Sequence, residues 1–217
     1  MGVVLHGYRF SVYTRVAQLT LIEKTVQFRT AEIDPFDPEQ AESLLQLTPF
    51  GRVPVLDHAG MRIYETLAIA QYVNDAFDGP DLVPSDPLAK ARMFQLISIV
   101  NSYAYYPLVR QVFSHRVFRP LMGEVGDEST IALGLAQSAK VLAALEGLCR
   151  EARVLNPDQL TLADLFLLPM IDYFSRAPEG ADLLANYRHL TRWWAAVSQR
   201  SSVLQTRLDL ATPDPEE

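Results

Sequence analysis

The chain has 217 residues, of which 49% are hydrophobic and 21% charged, a balance that excludes a disordered chain and allows one large domain or two small ones with separate cores. Its 26 acidic and 19 basic residues give a formal charge of −7, and a net negative surface repels phosphate backbones, which argues against nucleic acid as a general partner. The single cysteine, Cys149, can form neither an internal disulfide nor a cysteine-based metal cluster, and it fits a reducing compartment. No charged start followed by an apolar run marks a signal peptide, and the apolar stretch Met93 to Val100, flanked by Lys90 and Arg92, is far too short to cross a bilayer. These features predict a cytoplasmic protein without a membrane partner.

Val3-Val4-Leu5 reads as a buried strand, and Gly7 to Ser11 as a turn. Val12, Val16, Leu19 and Ile22 fall at helical spacing over Val12 to Glu23, with Ser11 at the N-cap. Alternation of Val26, Phe28 and Thr30 with polar residues predicts a second strand to Glu32, completing a βαβ unit with parallel strands. Asp34 to Pro38 is a loop, and Glu39 to Gln46 a short helix. Val55-Leu56 and Arg62-Ile63-Tyr64 are strands joined by the hairpin turn Asp57 to Gly60. A helix then runs from Thr66 to Phe77. The order β-α-β-α-β-β-α predicts a thioredoxin-like α/β domain over residues 1–78. The Pro-, Gly- and Asp-rich stretch 79–87 is a linker. An all-helical domain then spans 88–217. Leu88 to Val117 is expected as one long helix kinked at Pro107, followed by helices over Ser129 to Arg150, Leu162 to Arg176 and Leu184 to Gln199. The tail Thr212 to Glu217 is expected to fray.

Three constellations carry chemistry. In Gly51-Arg52-Val53-Pro54-Val55, a cis bond at Val53–Pro54 would turn the Val53 N–H and C=O outward to pair with a peptide; a trans proline at a strand start is the plainer alternative. Glu65-Thr66 precedes a helix whose free N–H donors favour a carboxylate, while Glu65 can meet an ammonium, so the pair matches the zwitterionic end of an amino acid; it can equally be a helix cap beside a solvated glutamate. Ser11 can donate its hydroxyl to a bound thiolate at a helix N-terminus, or serve only as a cap. Further on, Thr161 and Asp164 fit a capping box with Leu160 and Leu165 as a staple, a structural role that predicts Asp164 to be buried.

Taken together these pieces resemble the cytosolic glutathione S-transferase family, in a bacterial, serine-type form with a theta- or phi-like N-terminal motif. The matching stretches are Ser11 to Val16, Thr48 to Leu56, Tyr64 to Ile69, Leu82 to Pro87, Leu162-Ala163-Asp164 with Pro169, and Tyr187 to Trp194. The resemblance implies glutathione as cosubstrate, held by Arg52, Val53, Pro54, Glu65 and Thr66, with Ser11 stabilising its thiolate. Tyr8 and Tyr13 stand as rivals to Ser11, and Gln40 is a candidate for the glycyl carboxylate. Thr48 and Thr66 replace the usual asparagine and serine, and Cys149 is too far along the chain to be a catalytic thiol. No metal is required. The resemblance also implies a homodimer and a second pocket for a small hydrophobic electrophile, to which Tyr106 and Phe113, seven apart on one helix, could contribute. Other glutathione-dependent chemistry (isomerisation, dehalogenation or peroxide reduction) and a non-catalytic binding module are the competing readings.

Overall fold

The computed structural model describes residues 2–156 and 158–208 and divides into two compact units, Met1–Leu82 joined by Gln205–Leu208, and a second unit beginning at Val83. The expected frayed tail lies outside the described residues.

The first unit contains β1 (Val3–Gly7), α1 (Val12–Glu23), β2 (Phe28–Glu32), α2 (Pro38–Leu47), β3 (Val55–His58), β4 (Met61–Tyr64) and α3 (Thr66–Ala76). The four strands form one sheet in the order β2-β1-β3-β4. β1 and β2 run parallel, whereas β3 is antiparallel to both β1 and β4. This is the thioredoxin-like arrangement expected from the element order. Alternation along β1 buries Val3 and Leu5 with Ala17, Leu21, Leu56, Ile69 and Val73, so α1 and α3 cover one face. On the other face, Leu44 of α2 meets Ile33 and Val55, with Val53 and Leu47 packed alongside. A methyl group at Gly7 would overlap the Thr14 side chain, so this glycine lets β1 end tightly against α1.

The second unit is helical: α4 (Pro87–Ile99), a continuation with wider, π-type turns over Val100–Phe118, then α5 (Arg119–Leu121), α6 (Glu128–Arg150), α7 (Leu162–Phe174), α8 (Pro178–Ala185), α9 (Arg188–Val197) and α10 (Ser201–Gln205). Pro107 sits inside this widened segment. A proline offers no N–H and crowds the preceding turn, which longer-range i→i+5 bonding accommodates. The Arg119 N–H, for instance, bonds to the Ser114 carbonyl. Gly134 of α6 packs here: a methyl group on it would come 2.7 Å from Gln111 Cβ and 3.2 Å from the Pro107 carbonyl.

The helix expected over Leu184 to Gln199 is two helices. Glu146 of α6 accepts the His189 and Leu190 N–H groups at 3.0 and 2.9 Å and so starts α9 afresh, while the Tyr187 hydroxyl donates to the Ala139 carbonyl at 2.8 Å. Gln205–Leu208 return to the first unit, where Arg15 Nε donates to Thr206 Oγ1 at 3.2 Å.

Among the described residues one helix, α6, has the length and apolar content of a bilayer crossing, unlike the short Met93–Val100 stretch. Its buried residues Ile131, Gly134, Ser138, Val141, Leu142, Leu145 and Leu148 follow helical spacing, and Lys140 lies on the exposed side, the pattern of an amphipathic core helix.

At the start of α7, Asp164 is fully buried. One carboxylate oxygen accepts the Thr161 N–H at 2.8 Å and the Thr161 hydroxyl at 2.7 Å, and the other accepts Trp193 Nε1 at 2.7 Å. Burial pushes its carboxyl up to about 6, against the opposing pull of those donors.

Candidate active site

Strand register decides what meets at the site. Gly7, the last residue of β1, pairs with Glu32, the last of β2. His6 pairs with Val55, the first residue of β3, and Val55 pairs with Tyr64, the last of β4. One end of the sheet therefore carries, in order across it, the loop after β2 (Asp34 to Asp37), the turn from β1 into α1 (Tyr8 to Ser11), the Val53–Pro54 entry to β3, and Glu65–Thr66 after β4. Three segments far apart in sequence meet there with the loop before α2.

Ser11 caps α1. Its backbone is extended, its Oγ accepts the Thr14 N–H at 3.2 Å, and its own N–H bonds the Tyr8 carbonyl at 2.9 Å. Among the described residues the Ser11 hydroxyl proton has no acceptor, so Oγ can still donate at the positive end of a helix.

The Val53–Pro54 bond is cis. Val53 is half-buried, and among the described residues its main-chain N–H and C=O have no protein partner. Arg52 beside it is exposed.

Glu65 precedes α3 in a left-handed conformation, with φ of 70°, and is exposed. A non-glycine side chain held there carries strain of about 1–2 kcal/mol. No side chain caps α3, leaving its first N–H groups facing outward beside Thr66.

Tyr8 differs from Ser11. Its phenol is half-buried, and burial together with the charges of Asp34 and Glu32 raises its pKa far above the usual phenol range. Its ring meets Phe10 and Phe36 edge-on, at 5.3 and 6.0 Å between centroids. Tyr13 is half-buried in the first turn of α1. Gln40 is spent within its own loop: its Oε1 accepts the Asp34 N–H at 2.9 Å, and its Nε2 donates to Asp37 at 2.7 Å.

The two residues expected together in the helical half have opposite environments. Tyr106 is 61% exposed, whereas Phe113 is 3% exposed and stacks on Tyr173 at 4.2 Å, inside the helical core. Seven residues bring side chains onto one face of an α-helix, but the widened turns of Val100–Phe118 change that phase.

Sequence reasoning missed Arg15, which is 3% exposed and lies one helical turn beyond Ser11. A charge at i+4 on an otherwise apolar helix was the available signal. Buried Cys149 is inert, its thiol pushed up to about 12 chiefly by burial.

This sheet end presents the unpaired Val53 main chain between the Ser11-capped N-terminus of α1 and the uncapped N-terminus of α3, on a thioredoxin-like unit that a helical unit follows. Comparison with known proteins identifies the family. Residues 5–81 match the family model of the glutathione S-transferase N-terminal domain, and residues 103–201 that of the C-terminal domain. Glutathione S-transferase F10 of Arabidopsis thaliana is 32% identical over 86% of this chain and 87% of its own. Glutathione S-transferase F9 of the same plant is 30% identical over 95% of this chain and 96% of its own. The crystal structure of glutathione transferase F2 from Populus trichocarpa superposes with a TM-score of 0.82 at 27% identity, covering 94% of this chain and 96% of that one. The chain belongs to the glutathione S-transferase family, whose enzymes take glutathione as cosubstrate. These relatives are plant proteins and lend no support to a bacterial origin.

Proposed function

We propose that this glutathione transferase is serine-type: glutathione lies extended across the end of the sheet, and Ser11 stabilises its thiolate for attack on a small hydrophobic electrophile. The observation that carries this reading is the strand register, which brings Ser11, Val53 and Glu65–Thr66 to one sheet end in the order a zwitterionic peptide thiol would need. The cysteinyl main chain pairs with Val53 as an added strand would, with Pro54 fixing the approach and Arg52 beside it. The γ-glutamyl carboxylate meets the open N-terminus of α3 and Thr66, and its ammonium meets Glu65.

The sulfur then rests at the N-terminus of α1. The helix dipole and the Ser11 hydroxyl favour the charged form, so the thiol proton leaves to solvent near neutral pH. The thiolate forms a sulfur–carbon bond with the electrophile, and the leaving group departs with the electron pair it shared with that carbon. Tyr8 is a poorer thiolate donor than Ser11, because burial and the nearby Asp34 and Glu32 charges disfavour a further negative charge beside it.

The glutathione-binding domain is residues 1–78 with the returning Gln205–Leu208, 79–87 is the linker, and the helices that follow it supply the electrophile pocket. Tyr106, with its exposed apolar ring and polar tip, suits that pocket's wall, whereas Phe113 supports it from the core. The active form is a cytoplasmic homodimer, measurable by light scattering on the eluting protein.

The test is conjugation of glutathione to an aryl halide, followed by thioether absorbance, together with ultraviolet titration of bound thiolate. Turnover that falls in Ser11→Ala alongside a higher thiolate pKa fits the reading. An unchanged titration assigns the thiolate to other donors and overturns it.

A further inference from the structure

We infer that Arg15 is a positioning residue of the thiolate site: its buried guanidinium, held by Thr206 of the returning chain segment, fixes a positive charge behind the helix start where the glutathione sulfur rests, and so favours the thiolate. This rests on the proposed placement of the peptide and deepens it.

The two ends of α1 carry buried cations in opposite electrostatic settings. At the C-terminal end Lys24, 4% exposed, donates to the Gly79 and Pro80 carbonyls at 3.5 and 3.2 Å, and the helix dipole favours a cation there. Arg15, 3% exposed, lies near the N-terminal end, where the dipole opposes a cation and burial removes the water that would otherwise solvate it. The first turn of α1 holds no acidic residue. A guanidinium in that place adds to the positive end of the helix instead of offsetting it. An anion arriving at this helix start is attracted by the dipole and the side chain together.

The geometry links that charge to Ser11. The Arg15 N–H donates to the Ser11 carbonyl at 3.0 Å, which opens the helix, and residues four apart share a face with Cβ atoms about 5–6 Å apart. Helical side chains lean back over the preceding turn, which directs Arg15 towards the end that Ser11 caps. Thr206 Oγ1 accepts Arg15 Nε at 3.2 Å from 191 positions further along the chain, so tertiary structure fixes the direction of the side chain. The turn in front is fixed as well. The Tyr8 N–H donates to Thr14 Oγ1 at 3.3 Å, and the Ser11 N–H donates to the Tyr8 carbonyl at 2.9 Å. A charge held in place before the sulfur ionises needs no reorganisation as the negative charge develops, and it acts through protein, where attraction exceeds that in water.

The experiment is ultraviolet titration of bound glutathione in wild type, Thr206→Val, Thr206→Ser and Arg15→Gln. Calorimetry with S-methylglutathione, which keeps the peptide and has no ionisable sulfur, accompanies it. Thr206→Val should raise the bound thiolate pKa by about half a pH unit, and Thr206→Ser should restore it, because serine keeps the hydroxyl acceptor. Arg15→Gln should raise it by about one pH unit, a roughly tenfold loss of thiolate below both values. Affinity for S-methylglutathione should stay within about twofold in every variant, since the charge acts on the ionised sulfur alone. Thr206→Val keeps Arg15 in place, so it decides the matter even if Arg15→Gln fails to fold. A Thr206→Val titration that superimposes on wild type overturns the inference. So does a loss of S-methylglutathione affinity that matches the loss for glutathione, which would mark a purely structural contact. Ser11→Ala is titrated alongside: no shift there, with Thr206→Val shifted, would overturn the serine-type reading and leave Arg15 in its role.

Discussion

The helix starts at α3 and α7 use the same local chemistry to opposite ends. At α7 every polar group is spent: Asp164 takes both Thr161 donors and the Trp193 indole N–H, all away from water. At α3 nothing is spent. Glu65 is exposed, strained into a left-handed conformation and makes no cap, and the first N–H groups of the helix face outward. A satisfied, buried helix start holds a fold together; an unsatisfied, strained and open one is a place for a ligand. Ser11 stands between the two, because its oxygen caps α1 while its proton remains to be given.

Breaking the closed end should produce the largest effect. Asp164→Ala strands three buried donors and is expected to cost about 2–4 kcal/mol in urea unfolding. A subtler variant sharpens the point. The folded pKa of Asp164 stands at about 6, above the ordinary carboxylate value, so the native state binds its proton more tightly than the unfolded chain does. The contribution is fully present below about pH 4 and is lost as pH rises through about 6, with a slope of at most about 1.4 kcal/mol per pH unit. Asp164→Asn should flatten that decline. A stability profile with the same slope in both proteins would place the titrating group elsewhere.

At the open end the signs separate. Glu65→Gly relieves the left-handed strain and should stabilise the protein by about 1 kcal/mol. The same change should weaken glutathione binding by roughly 1.5–3 kcal/mol, the range for a hydrogen bond to a charged group. A variant that gained stability and kept its affinity would remove Glu65 from the site. Ser11→Ala comes next, with a thiolate pKa higher by about one unit, from the loss of one charge-assisted bond. Asp86→Ala is its control: Asp86 caps α4 through the Ala89 N–H at 2.8 Å. That loss should cost similar stability, about 1 kcal/mol, without moving the thiol titration.

The sequence showed the open region better than it showed its placement. Ser11 was legible because a serine ahead of apolar residues at helical spacing is a cap, and the sheet followed from short runs of alternating residues. The conformation of Glu65 was not legible, since glutamate carries no preference for positive φ and only the surrounding fold imposes it. In the helical half the errors came from tertiary contacts. Glu146 restarts a helix at α9 where no glycine or proline marks a break, and the widened turns around Pro107 separate Tyr106 from Phe113. The return of Gln205–Leu208 to the first unit rests on a bond between residues 191 positions apart, which no local pattern records.

The smallest expected effect discriminates most finely between two hydroxyls at the same sheet end. Tyr8 and Ser11 both lie in the turn between β1 and α1, and a phenol there is a natural rival for a thiolate. But the Tyr8 phenol lies half-buried in the field of the Asp34 and Glu32 charges, which disfavours a further negative charge beside it. Tyr8→Phe removes that hydroxyl, and thiolate titration should stay within about 0.3 pH units of wild type while stability should fall by no more than about 1 kcal/mol. A rise in thiolate pKa equal to that in Ser11→Ala would mean that the tyrosine hydroxyl reaches the sulfur when glutathione binds, and the assignment of the thiolate to Ser11 would then fail.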